Sequence, residues 1–194
     1  MKIVHCPIDC LPSFREVWED YNVKAVIKGS PRVLDIGANV GAFSLMAREL
    51  WPTCTVTAYE PNPELFSYLC TNAGDFATCV NAAVTGKEGV FKLVDSGPNR
   101  MCGELVEIDD KRDGRLVEVV RAFKLPEADV VKIDIEGGES DVVSSMAYVP
   151  SLLMVEYHSE YDRIRIAHAL FQKATLMHCY VARPGLGIMH FAKV

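Results

Sequence analysis

The sequence predicts a doubly wound α/β domain, with a mostly parallel seven-stranded sheet, helices on both faces and an antiparallel hairpin at the end. Two observations lead there. Short apolar runs alternate with segments of helical periodicity from about residue 32 to residue 173, the signature of successive strand–helix–strand units. The last two apolar runs, 175–181 and 188–194, are joined only by Arg183-Pro184-Gly185-Leu186-Gly187. A link that short forbids a parallel return, which needs a crossover of about a dozen residues, so these two strands must be antiparallel. The chain has 194 residues, 49% of them hydrophobic, which suits one core and is too little for two. A single domain over 1–194 is expected, with 1–30 as a helical N-terminal lid and 86–123 as a hairpin insertion.

The elements follow in order. Ser13 and Glu16 are spaced as a capping box, and Phe14, Val17, Trp18 and Tyr21 continue at helical spacing. Residues 32–36 form an apolar strand that ends at Gly37. A helix over 42–50 is stopped by Pro52. The second strand, 55–59, ends at Glu60; Asn62-Pro63 opens the next helix, with Leu65, Phe66 and Leu69 inward. The third strand is expected over 78–84. Strands at 90–94 and 116–123 flank a polar stretch and are read as the insertion's hairpin. Strands at 130–135 and 152–157 alternate with helices at 140–146 and 161–173.

Charge and composition exclude several functions. Lys and Arg number 20 against 26 Asp and Glu, a net charge of −6, where a nucleic-acid binder needs a surplus of cations to replace phosphate counterions. Lys111, Arg112 and Arg115 read as a solvated loop. No run approaches the roughly 20 apolar residues that span a bilayer, and the first residues lack the apolar run of a signal peptide. A soluble, cytoplasmic protein acting on a small molecule is expected; nothing in the sequence sets its oligomeric state. Of the seven cysteines, Cys54, Cys70, Cys79 and Cys179 fall in predicted elements, where a thiol acts as a small hydrophobe. Cys6 and Cys10 lack the second ligand pair that zinc requires, and no metal or disulfide is assigned to them.

Four segments carry chemistry. The first is Asp35-Ile36-Gly37-Ala38-Asn39-Val40-Gly41-Ala42, an acid at a strand end, then a turn of small residues into a helix. Such a turn lets a cofactor lie against the backbone, near the unpaired N–H groups of a helix start. The dinucleotide fingerprint G-x-G-x-x-G would put glycine at 39 and 42; Asn and Ala stand there instead. The pattern acid-x-G-x-G-x-G of S-adenosylmethionine (SAM) enzymes matches at Asp35, Gly37 and Gly41, with Asn39 in place of the middle glycine. The second is Glu60, placed to accept both hydroxyls of a ribose, with Pro61 beside the base and Asn81 and Ala82 as its other neighbours. The third, Asp134-Ile135-Glu136, sets two carboxylates on one side of a strand end. They are suited to take a proton from a hydroxyl, to hold an amino group or, with more oxygen ligands than these two supply, to bind a cation. The fourth is His158 after Glu156-Tyr157, a candidate general base.

Together, residues 33–43, Ala58-Tyr59-Glu60-Pro61-Asn62-Pro63, Asn81-Ala82-Ala83-Val84, Lys132-Ile133-Asp134-Ile135-Glu136-Gly137 and Glu156-Tyr157-His158 resemble the FkbM-type methyltransferases, over about residues 32–160. The resemblance implies a Rossmann-like class I methyltransferase fold and SAM as cofactor, held by Gly37, Asn39 and Glu60. It implies methyl transfer to a hydroxyl of a sugar or natural product, with Asp134, Glu136 and His158 bordering the reaction site. Asn99, Arg100, Met101 and Arg112 are then candidate lid contacts. An NAD-dependent oxidoreductase and a non-catalytic nucleoside-binding module are the alternatives.

Overall fold

The computed structural model describes residues 5–7, 10, 17–21, 27–95, 103–108 and 116–194. The capping box at Ser13, the basic stretch at 111–115 and the lid contacts Asn99, Arg100, Met101 and Arg112 lie outside these residues.

The main sheet is built from β1 (Arg32–Ile36), β2 (Thr55–Tyr59), β3 (Ala77–Val80), β8 (Val130–Ile133), β9 (Leu152–Tyr157), β10 (Ala174–Arg183) and β11 (Leu186–Lys193). Its order is β10-β11-β9-β8-β1-β2-β3. The five strands from β9 to the β3 edge are parallel, whereas β11 runs antiparallel between β9 and β10. The helices are α1 (Ala42–Leu50), α2 (Pro63–Ala73), α3 (Glu139–Ser145) and α4 (Glu160–Leu170).

The period-two alternation of strand side chains divides the apolar residues between two layers. Val33, Val130, Leu152 and Met154 join the cluster of Phe43 and Met46 from α1 and Leu69 and Ala73 from α2. Their chain neighbours Leu34, Val131, Leu153 and Val155 join Val142 and Val143 of α3 and Ile166 and Leu170 of α4. Both faces are therefore covered, and the carboxyl ends of β1, β2, β8 and β9 open on the same edge.

Asn62 caps α2 as expected, its side chain accepting from the N–H groups of Glu64 and Leu65, with Pro63 at the first helical position. Two expectations are corrected. The strand expected over 78–84 is broken at Asn81 and Ala82: β3 stops at Val80, and β4 (Ala83–Thr85) leaves the sheet to pair in parallel with β7 (Val119–Arg121). The insertion hairpin also pairs differently. β5 (Phe91–Asp95) is antiparallel to β6 (Gly103–Glu107), and only an isolated bridge from Lys92 to Leu116 remains of the expected pairing. Gly103 permits this, because a Cβ there would stand 2.8 Å from Leu93 Cγ.

Cys6 and Cys10 pack against Val40, Leu65 and Tyr68 in a small apolar cluster. Asn72 ties that N-terminal stretch down: it accepts from His5 N–H and donates to the carbonyls of His5 and Val40. No helix among the described residues is long and apolar enough to cross a membrane.

Candidate active site

Two adjoining cavities open at the carboxyl ends of the parallel strands, where open α/β sheets bind ligands. The first is lined by Gly37, Asn39, Glu60 and Pro61 from the β1 and β2 ends, Ala82 beyond β3, and Leu93 and Leu105 of the insertion hairpin. The second lies between Val17 and Tyr21 of the N-terminal segment, the Gly37–Val40 turn, Glu156 and the β10–β11 hairpin. Gly37, Asn39, Asp134 and Glu136 line both.

The turn after β1 requires glycine at its first position. Gly37 adopts φ 75°, and a Cβ there would stand 1.7 Å from the carbonyl oxygen of Asp134, so only glycine lets the ends of β1 and β8 approach so closely. Asn39, which replaces the middle glycine, has φ 52°, a conformation that asparagine tolerates better than most residues. Its side-chain oxygen accepts from Val40 N–H, and its own N–H donates to Glu60 Oε2 at 2.8 Å. Ala38 lines the second cavity, and Gly41 caps α1 at φ 92°.

Glu60 is buried, and its Oε1 accepts from Asn62 N–H at 2.8 Å. Burial pushes its carboxyl up to about 7, although the two N–H donors pull the other way. Asn81, expected beside the base, instead donates to the carbonyls of Glu60 and Pro61 and lies outside both cavities. It shapes the wall from behind.

Asp35 is likewise behind the wall. It is fully buried and accepts from Ser44 Oγ at 2.6 Å. Its other oxygen has no hydrogen-bond partner and faces Lys132 Nζ at 3.6 Å. Lys132, which the sequence reading passed over, donates to Gly37 O at 2.6 Å and pairs with Asp134 at 3.3 Å. One buried ammonium thus ties the glycine turn, the motif acid and the site carboxylate together. An ion pair this buried holds only when every charge is matched.

His158 reaches the site as expected but in a different state. Its Nδ1 lies 2.8 Å from Glu139 Oε1, and its Nε2 is 3.4 Å from Glu136 and 3.9 Å from Glu156. Burial would lower its pKa, but the bond and charge of Glu139, with Asp134 and Glu136, outweigh burial and bring it to about 9. With its proton held this way His158 is better placed to donate a hydrogen bond than to act as the general base expected from the sequence. Glu156 accepts from Tyr21 Oη at 3.2 Å; burial and the neighbouring Asp134 push it up to about 7. Glu156 enters the sequence analysis only as the neighbour of His158, and Tyr21 only as a helix-face residue. The signal for Glu156 was its two-residue spacing from His158; for Tyr21 there was none beyond its place on an apolar helix face.

Comparison with known proteins fits this arrangement. The Methyltransferase FkbM domain family matches residues 35–173. A methyltransferase, sdnD of Sordaria araneosa, is 26% identical over 175 residues, covering 69% of this chain and 67% of that protein. Among solved structures, fibrillarin from Aeropyrum pernix, crystallised with natively bound S-adenosyl-L-methionine, superposes with TM-score 0.57 at 9% identity, covering 93% of this chain and 74% of that one. The precorrin-6y C5,15-methyltransferase of Geobacter metallireducens superposes with TM-score 0.53 at 16% identity, covering 100% and 92%. These structural likenesses show the fold, and the domain match shows the family: the chain belongs to the FkbM methyltransferases.

Proposed function

We propose that the protein transfers the methyl group of SAM to a hydroxyl oxygen of a small, uncharged or cationic acceptor, of the sugar or natural-product kind. The observation that carries this reading is the shared wall. Asp134 and Glu136 border both cavities, so a cofactor in one and an acceptor in the other would meet at two carboxylates.

The residues present fit SAM. Glu60 offers a buried carboxylate to the ribose hydroxyls, Pro61, Ala82 and Leu105 offer an apolar bed for the base, and the turn at Gly37–Asn39 leaves room for the chain that bears the sulfonium. Bound SAM supplies a methyl group already activated by its positive sulfur. What this chain must do is align the acceptor oxygen and remove its proton. Asp134 is the proton acceptor in this reading, held in place by Lys132. The second cavity is lined by Asp20, Glu19, Asp134, Glu136 and Glu156, with Lys132 as the cation among them and already paired with Asp35 and Asp134; the excess of acids favours neutral or cationic acceptors over phosphates and carboxylates. A hydroxyl, unlike a free amine, must lose a proton as it attacks, and this suits a site built around a carboxylate. Tyr21 lines the second cavity, and Leu93 and Leu105 of the insertion hairpin line the first, which supports a covering role for these two segments.

The test is Asp134→Asn. With SAM binding retained, methyl transfer to a sugar alcohol should fall by about 10²–10⁴-fold, the usual contribution of a general base. Unchanged turnover would remove Asp134 from that role.

A further inference from the structure

We propose that Asp134, Glu136 and His158 form a site for one divalent metal ion with a preference for oxygen ligands, of the Mg²⁺ or Mn²⁺ kind. One ligand atom from each of the three lies within 4.8 Å of the others. Ligands at about 2.1 Å from an octahedral ion sit about 3 Å apart when adjacent, so the cluster has only a short distance to draw in. The three side chains are between 19% and 37% exposed, which leaves them free to move that distance and leaves outward positions open. The sequence reading gave the two carboxylates too few partners for a metal; the fold brings His158 from β9's end to join them.

A second observation lies outside the three ligands. Glu139 is fully buried at the start of α3 and holds His158 Nδ1, while its second oxygen has no hydrogen-bond partner. A carboxylate behind the far nitrogen of an imidazole is the usual support of a metal-binding histidine. It turns Nε2 toward Glu136. Charge points the same way. Asp134, Glu136, Glu139 and Glu156 converge here against Lys132, itself shared with Asp35, and against the proton on His158 Nε2, which an ion bound there would displace. A dication offsets the excess.

An ion at the shared wall would bind two neighbouring oxygens of the acceptor, such as a vicinal diol or a hydroxy-carbonyl. A hydroxyl held there would lose its proton more readily, to the Asp134 oxygen that Lys132 holds at 3.3 Å. Its electron pair then forms the new oxygen–carbon bond as the carbon–sulfur bond breaks. This role rests on the methyl-transfer reading; the site itself does not.

The experiment is titration of the chelator-stripped, untagged full chain with Mn²⁺, followed by the electron paramagnetic resonance signal of the free ion. One saturable ion per chain is expected. Glu136→Gln and His158→Ala should abolish that binding, and Glu139→Gln should weaken it about 10- to 100-fold, with circular dichroism confirming that each variant is folded. Glu136→Gln, at a partly exposed side chain, keeps the test valid if Glu139→Gln fails to fold. No saturable binding, or binding unchanged in Glu136→Gln and His158→Ala, overturns the proposal. S-adenosylhomocysteine calorimetry on the same sample separates the two readings. Mn²⁺ without S-adenosylhomocysteine sinks methyl transfer and leaves the ion site, and the reverse sinks the ion site alone.

Discussion

Glu60 and Lys132 are charged groups buried at this site. The Glu60 carboxyl stands at about 7 in the folded chain, against about 4.3 for an ordinary glutamate. Between those values the folded protein holds a proton that the unfolded chain has released. Glu60 therefore makes stability fall as pH rises through that window and level off above it. The difference in unfolding free energy between wild type and Glu60→Gln, measured by urea denaturation from pH 4.5 to 8, should show that slope; a flat difference would mean Glu60 is not perturbed by burial. Lys132 is 3% exposed and is the cation facing Asp35. Lys132→Met should cost about 3–5 kcal/mol, as for other buried pairs broken on one side. Adding Asp35→Asn to that variant should recover part of the loss, and a double variant as unstable as the single would contradict the pairing. Lys132 was present in the quoted Lys132–Gly137 segment, but a lysine inside an apolar strand gives no sign of what it will meet. Its partners come from β1 and the Gly37 turn, 95 residues earlier.

The elements divide into those with a local signal and those without. β9 falls where the apolar run put it, at Leu152–Tyr157, because a strand buried on both faces shows as an unbroken apolar run. The break at Asn81 was not visible, since Asn81-Ala82 carries no glycine or proline and its cause is distant: the Asn81 amide binds the carbonyls that follow β2. β6 was hidden for a related reason. Gly103-Glu104-Leu105-Val106-Glu107 is half polar, as an edge strand can be, so its pattern reads as the loop of a hairpin closed by residues 116–123. The tightest junction is between β1 and β8 at Gly37. Gly37→Ala would drive a Cβ to 1.7 Å from Asp134 O, and a positive φ adds strain. That variant should be recovered unfolded, or with a melting temperature lowered by more than 10 °C; a melt within 2 °C of wild type would mean the two strand ends can part freely.

For the whole molecule, strand order and site location are one fact. The order β3-β2-β1-β8-β9-β11-β10 reverses direction between β1 and β8, and both cavities open at that switch point, as they do in doubly wound sheets generally. The alternation of elements, the final hairpin, Gly37, Glu60 and the Asp134–Glu136 pair were legible in the sequence. What was not legible is which side chains face one another across the sheet edge: Tyr21 with Glu156, Glu139 with His158, Lys132 with Asp35. Those pairings are long-range, and periodicity has no access to them. The central claim is that the first cavity holds the nucleoside of SAM against Glu60. The most direct measurement is calorimetric titration of the chain with S-adenosylhomocysteine and, separately, with NAD, repeated on Glu60→Gln. At pH 8, where Glu60 is ionised, one S-adenosylhomocysteine per chain is expected, with affinity lowered at least about tenfold in Glu60→Gln through loss of charged hydrogen bonds, and no NAD binding. NAD binding without S-adenosylhomocysteine, or S-adenosylhomocysteine binding indifferent to Glu60→Gln, would contradict it.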